Sequence, residues 1–567
     1  MGRLTAPPTT GGTANVFFSF TNNLNPQLDQ SYAINSLTFD SLAVGYIVGR
    51  TTGNTTATLS LDSGGISHQS PGTNTLVVPA NLTASQTFLV SNANGTLQVS
   101  APLSFNQSNT ALTLTIDGAG TTNLAGGINE ASGTGGLTKL GGGTLTLTGN
   151  NTYQGTTNVN GGTLAVTSGS LSTGAINIGI TAGAQLNTGA FIQTGGNIST
   201  KGALDIGDGF IIAGGGTRLT SIGTYTLSGS GSSLSTGGVT IGNNGGTGTF
   251  TQSAGSFTAN GNGLLLGYYA GSGTYNLQGG SLSTGYVVVG GGTNGNATGV
   301  FTQSGGTLKT GEVRLGTYSA GATGTYILSG GMLTTTDVAK GDSTGIFHFN
   351  RGTLQAAASD SPAATSNPRT FMAGLTKADV QAGGAKIDTQ SFNVTVAQSL
   401  ASGVSGGLDG GLTKGGAGML TLTGNNTYTG ATTVFAGTLV AASNMALGTG
   451  NVEVASGARL TLNAGVVLAG MQGSTLTLDS ALNSTVNLLG TGVQDTVGAL
   501  VIAGVNQLPG TYGALGSGAT FVLPDFTGTG ELLVQAVPEP STWAMLVAGV
   551  GLMGSVTLRQ HRRAQLA

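Results

Sequence analysis

One feature of this chain rules out most folds at once: it repeats itself. Strings of the form Tyr/Phe-x-x-Ser-Gly-x-x-Leu and their variants open at Tyr225, Phe250, Tyr275, Phe301 and Tyr326, almost equally spaced, and a degraded copy, FHFNRGTL, begins at Phe347. The aromatics alternate Tyr and Phe, and copies two apart resemble each other more than neighbours do, as FTQSAGS from Phe250 and FTQSGGT from Phe301 show. A duplicated unit of about 50 residues, two coils long, is the simplest history. A repeat this short cannot bury a face alone, so successive copies must stack and share one core. The 567 residues therefore do not divide into several average globular domains.

Within a repeat, Tyr275–Gly292 reads YNLQGGSLSTGYVVVGGG, short alternating or β-branched runs each closed by glycines. Such runs are strands of three to five residues. Glycine makes up 104 of the 567 residues, about 18 % against a usual level near 7 %, and at about 1 kcal/mol per helical position it removes helices from the body. The expected fold is all-β, a single right-handed parallel β-helix with Leu, Val, Ile and an aromatic ladder inward and Thr and Ser outward. Gly242, Asn243, Asn244, Gly245 and Gly246 read as a corner needing positive φ. The period breaks over Ala356–Asp388, where an irregular excursion is expected.

The charge inventory narrows the chemistry. Seventeen basic and 20 acidic residues give a net charge of −3, too little charge for self-repelling disorder and no basic surplus with which to neutralise nucleic acid. No cysteine is present, so disulfides, thiolate metal sites and cysteine nucleophiles are excluded, and the three histidines, His68, His348 and His561, are too few for a histidine-rich metal centre. Paired acids capable of polysaccharide chemistry are sparse. The nearest sets are Asp205 with Asp208, and Asp337 with Lys340 and Asp342, and both read as turn residues. Glycine-rich stretches such as GGINEASGTGG lack the strand, helix and lysine of a phosphate cradle. No cofactor, catalytic residue or metal ligand is expected.

A second repeat brackets the first. GLTKLGGGTLTLTGNNTYQGTTNVNGGTLAV from Gly136 and GLTKGGAGMLTLTGNNTYTGATTVFAGTLV from Gly411 align at a constant offset. In each, LTLT reads as a strand and GNN as a corner, with Asn150 and Asn425 as candidates for side-chain bonds to the backbone there. The block resembles the autotransporter-associated β-strand repeat, and SLTF at Ser36, LPGTY at Leu508 and FTGTGELLV at Phe526 are similar to the segments flanking that repeat. The resemblance implies a right-handed β-helical stalk exported by Gram-negative bacteria, and no chemistry.

The C-terminus changes character. Ser541–Leu558 carries no charge over 18 residues, enough for a short transmembrane helix. Arg559, Arg562 and Arg563 follow it, which places the tail in the cytoplasm and the body outside. Before it stands Val537-Pro538-Glu539-Pro540, whose prolines keep the segment extended. Pro-Glu-Pro, an apolar span and terminal arginines, in that order, resemble the PEP-CTERM sorting signal. That resemblance implies processing by exosortase, a membrane enzyme, near Pro538, Glu539 and Pro540, and an inner-membrane-anchored precursor that passes to the outer envelope, cell surface or extracellular matrix of a bacterium making exopolysaccharide. At the other end, MGRLTAPPTTGGTANVFFSF holds only VFFSF as an apolar run, so an export signal is incomplete there.

The organisation expected is thus residues 1–33 as an N-terminal segment or incomplete export region, 34–168 as the first part of the β-helix, 169–355 as the aromatic repeats, 356–390 as the excursion, 391–536 as the second bracketing repeat with closing coils, and 537–567 as the sorting signal. The function expected is that of an exported, non-enzymatic surface or matrix protein, structural or adhesive, with exosortase, the inner membrane and exopolysaccharide as partners and no nucleic acid. The alternatives are a β-helical polysaccharide lyase or hydrolase and an autotransporter-type adhesin passenger.

Overall fold

In a computed structural model of the chain, residues 12–19, 25–181, 186–211, 218–261, 263–292, 296–318, 320–361, 369–464, 473–479 and 483–535 are described. All regular elements among them are strands, arranged as a parallel β-solenoid. The transmembrane helix expected at 541–558 lies outside the described residues. No helix among the described residues is long and apolar enough to cross a membrane.

The chain falls into two units, the first ending at Leu420 and the second starting at Thr421. In the first, each regular coil supplies three strands, as in Thr247–Gln252, Ser256–Ala259 and Leu264–Tyr268. Each pairs in parallel with its counterpart one coil on: Thr247 faces Ser272, Ser256 faces Ser281, and Leu264 faces Val287. The alternation of Thr with Leu, Val and Phe sets the strand faces, since successive side chains point to opposite sides. Phe250, Phe257, Leu264 and Leu266 are buried, while the threonines between them line the outside. One column of 16 strands carries the aromatic repeat.

The aromatics stack as their spacing predicts. Phe250 and Tyr275 are 4.8 Å apart at 4°, Tyr275 and Phe301 4.9 Å at 5°, and Phe301 and Tyr326 4.8 Å at 4°. The stack is longer than the repeat strings reveal. Phe347 continues it at 5.1 Å, and Phe191 precedes Tyr225 at 4.8 Å. Every ring from Phe191 to Phe347 in this series is buried, so the ladder is core and not a sugar-facing surface.

The corner at 242–246 is tighter and more selective than expected. Only Gly242, Asn244 and Gly245 have positive φ, at 70°, 48° and 82°. At Gly242 a Cβ would lie 1.9 Å from the Ser272 carbonyl oxygen, so the next coil presses on this position and only glycine fits. Asn243 stays extended, as the last residue of its strand. Within the stretch expected to be irregular, Met372–Ala373, Lys377–Val380 and Ala385–Asp388 are strands in the ladder. The period is interrupted by the segment after Ala356, and the coils resume beyond it.

The described coils of the second unit supply two parallel columns. Thr432, Val452, Leu476 and Leu500 stand in one parallel column, and Thr438, Arg459 and Thr485 in another. Its end is not parallel. Gly510–Gly513 runs antiparallel to Phe526–Val534, so LPGTY and FTGTGELLV, separate in sequence, form one closing element that occupies a sheet edge otherwise open to pairing.

Candidate functional site

The residues expected to direct sorting, Pro538, Glu539 and Pro540, and those expected to orient the span, Arg559, Arg562 and Arg563, lie outside the described residues. The structure reaches their threshold: the backbone N–H of Gln535 donates to the Val497 carbonyl at 3.0 Å, so the chain is held in the sheet almost as far as Val537.

The two bracketing repeats are built alike. Lys139 lies on the inward alternation that Leu137 sets, and only 1 % of it is exposed. Its Nζ donates to the carbonyls of Leu140, Gly141 (2.9 Å) and Gly161 (3.4 Å). Lys414, at the same place in the second copy, donates to Gly415 and Gly416 at 2.8 and 2.7 Å. Burial pulls both ammonium groups down to about 8, against an opposing pull from Asp117 and Asp388 respectively. The Tyr153 hydroxyl meets Thr157 Oγ1 at 2.6 Å, and Tyr428 meets Thr432 at the same distance.

At the GNN corner the second asparagine, not the first, does the bonding. Asn151 is buried; its Nδ2 donates to the Gly149 and Ser170 carbonyls and its Oδ1 accepts from the Ile128 N–H. Asn426 is its counterpart, donating to the Ala446 carbonyl at 2.5 Å. Asn150 is exposed and accepts from the Ser170 hydroxyl at 3.1 Å. Strand alternation explains the exchange, because a shift of one residue reverses the face.

The candidate acids are engaged with their neighbours. Burial raises the Asp205 carboxyl, Thr240 lowers it by a hydrogen bond, and Asp208 raises it by repulsion. Asp208, also raised by burial, accepts from Asn244 Nδ2 at 2.9 Å and Asn243 Nδ2 at 3.4 Å. Asp337 pairs with Arg314, whose other nitrogen holds Glu312 at 2.8 Å. Lys340 instead donates to the Ser343 carbonyl at 3.4 Å.

One ionic cluster is invisible in the sequence. His348 Nδ1 lies 2.7 Å from Asp379 Oδ1, Lys377 Nζ 2.6 Å from Oδ2, and Gln381 Nε2 donates to Oδ1 at 2.8 Å. Burial opposes ionisation of Asp379, but the bonds from His348, Lys377 and Gln381 outweigh it and hold the carboxyl at about 2. His68 is fully buried beside Phe39, 3.1 Å from Asn74, and burial keeps its imidazole below the usual range. Among the described residues no group of three or more His, Asp or Glu is placed to hold a metal ion.

Comparison with known families accounts for both ends of this design. Residues 137–166 and 412–441 match the passenger-associated transport repeat. Residues 536–563 match the PEP-CTERM protein-sorting motif. The chain carries both modules. Together they imply an exported, envelope-associated protein, and the sorting motif implies recognition by exosortase. No curated protein and no solved structure matches the chain.

Proposed function

We propose that this chain is a non-enzymatic structural or adhesive element of the bacterial envelope or extracellular matrix, held briefly in the inner membrane and released by exosortase-type cleavage near Pro538, Glu539 and Pro540. The observation that carries this reading is the sorting motif at 536–563, placed directly after a closed solenoid end. A folded body, an extended Pro-Glu-Pro segment and an apolar span form a substrate that a membrane-embedded protease can reach. The arginines after the span hold its tail in the cytoplasm until the cut. The body suits a scaffold: the buried side chains of Lys139, Asn151 and Gln252 are spent on the backbone of strands and corners.

Replacing Pro538, Glu539 and Pro540 by alanine in a host that has the processing enzyme is expected to leave the full-length protein in the inner-membrane fraction. Immunoblots of membrane and medium fractions read this directly. Release of a shortened product as efficient as the parent's would remove the sorting role. A second reading, a polysaccharide hydrolase, is favoured by one observation, the two raised and mutually repelling carboxyls of Asp205 and Asp208. Reducing-sugar release from matrix polymer that disappears in Asp205→Asn and Asp208→Asn would establish it in place of the scaffold.

A further inference from the structure

The outer face of the first unit is polar along most of one outward column and apolar at one place. Asn158, Asn177, Asp205 and Thr240 occupy successive coils there, and Leu265 and Val288 come next before Arg314 restores polarity. Val288 points outward, between inward Val287 and Val289, yet only 3 % of it is exposed. Tyrosines crowd this spot. Tyr268 ends the strand that carries Leu265 and Tyr269 follows it, Tyr286 begins the strand that carries Val288, and Tyr318 follows the strand that carries Arg314. The Tyr268 and Tyr269 rings meet edge to face at 4.2 Å. Burial first, and then Tyr269, Tyr318 and Tyr286, push the Tyr268 hydroxyl up to about 12, which places all four phenols within electrostatic reach of one another.

Two of these rings are held at a cost to the backbone. Tyr269 has φ 45° and Tyr318 φ 69°, the left-handed region that bulky residues avoid. Asn244 occupies the same corner one coil earlier with φ 48°, so the corner itself accepts a small residue. Between the two tyrosines the chain places Gly292, where a Cβ would lie 2.4 Å from the Tyr269 nitrogen. Tyr318 is 57 % exposed and contributes little to the core. Exposure and a left-handed backbone together point to a use for this ring outside the fold.

The chemistry around the rings selects an occupant. Tyr269 and Tyr318 stand two coils apart, about 10 Å at roughly 4.8 Å per coil, the length of roughly two linked pyranose rings. Carboxylates with acceptor capacity to spare flank the patch: Glu312, only one oxygen of which pairs with Arg314, faces Tyr286 across the ladder, and Asp208, which accepts one bond each from Asn243 and Asn244, lies on the coils before Tyr268. The neighbouring cation, Arg314, is already taken by Glu312 and Asp337. Rings for the apolar faces of sugars and carboxylates for their hydroxyls suit an uncharged polymer, whereas a uronate chain would meet like charge.

We propose that Tyr268, Tyr269, Tyr286 and Tyr318 form a platform that binds a neutral polysaccharide, its pyranose faces stacked on the rings and its hydroxyls donated to the flanking carboxylates. The platform gives a partner to the matrix role proposed above and rests on that reading for its setting. Binding by the purified chain is measured apart from export, so either can fail alone.

The experiment is affinity electrophoresis of the full chain in detergent through gels containing hydroxyethylcellulose, glycogen, galactomannan or alginate, with thermal unfolding in parallel. At least one neutral polymer is expected to retard the parent and alginate not to. Tyr269→Gly and Tyr318→Gly are expected to weaken retardation at least tenfold while the melting temperature stays level or rises, because glycine relieves the left-handed strain. Two results would overturn the proposal: a parent that no neutral polymer retards, or variants retarded as strongly as the parent. Concentration-dependent dimerisation abolished by the same variants, without glycan binding, would also overturn it and make the patch a contact between two copies of this chain.

Discussion

The ladder coils and the transport repeats solve the same problem in opposite ways. In the ladder, the buried tyrosine hydroxyls are satisfied by a different coil. The Tyr275 hydroxyl donates to Gln252 Oε1 on the preceding coil at 2.6 Å, as Tyr225 does to Gln193 and Tyr326 to Gln303. Gln252 Nε2 in turn donates to the Gly255 carbonyl of its own coil and the Ser281 carbonyl of the next. In the transport repeats, the tyrosine meets a threonine one short turn away and the lysine meets the carbonyls that directly follow it. A ladder tyrosine thus depends on the preceding coil, while the tyrosine and the lysine of a transport repeat find their partners within the repeat.

Perturbing each design should spread damage differently. The largest effect is expected from Phe250→Ala, which opens a cavity in the stack at a cost of about 3–5 kcal/mol; hydrogen exchange should rise in the coils of Tyr225 and Tyr275 as well as its own. Protection lost only between residues 247 and 268 would show that the ladder is not cooperative. Lys139→Met should cost about 2 kcal/mol, because it strands buried carbonyls that lose a charged donor, and the loss of protection should stay within residues 137–166. The Gln252→Leu and Tyr275→Phe pair is smaller: each should cost about 1–2 kcal/mol and the double variant less than their sum, since removing both partners leaves no orphaned phenol. Full additivity in urea unfolding would deny the bond between the coils any energetic role.

The last and smallest contrast is one of sign. Lys139 and Lys414 have folded values of about 8, below the usual lysine value of about 10.4, so the unfolded chain binds more protons between those pH values. The transport repeats should therefore gain stability as pH rises from about 8 to 10. Tyr225, Tyr275 and Tyr326 are raised well above 10 by burial; there the unfolded chain loses protons first, and the ladder should lose stability as pH rises beyond about 10. Local unfolding followed by fragment-resolved hydrogen exchange from about pH 8 to 11 should show the two slopes opposed, and parallel slopes would break the comparison.

How far the sequence carries one into this molecule depends on whether a contact follows the repeat count. Tyr225 to Tyr326 share a face because their even spacing puts them on equivalent strands, and that is readable from the string alone. Phe191 stands in register with Tyr225, but the connection between them is longer than a regular coil, and the extra length hides the equivalence. The glutamines are visible in FTQ, and their signal is Gln in place of Leu two residues after Phe250 and Phe301. Asn151 is masked by its neighbour Asn150, because two adjacent asparagines look alike until register fixes the alternation. Lys139 reads as surface from its charge, although the strand alternation that starts at Leu137 points it inward. His348 and Asp379 lie on either side of the broken period, so only the folded ladder brings them together. The tyrosine platform has no periodic signature, because its rings come from strand ends and corners on three coils rather than from one equivalent position.

The bond from Gln535 to Val497 is the sheet's last tie among the described residues. Six peptide units separate Gln535 from Ser541, a reach of at most about 20 Å even when fully extended. Under the proposed sorting role, a protease that cuts within Pro538–Pro540 would work in that gap. On that reading, clearance would act alongside sequence: thickening the last coil would shield the same three residues, and lengthening the tether would expose them, without changing a letter of the motif.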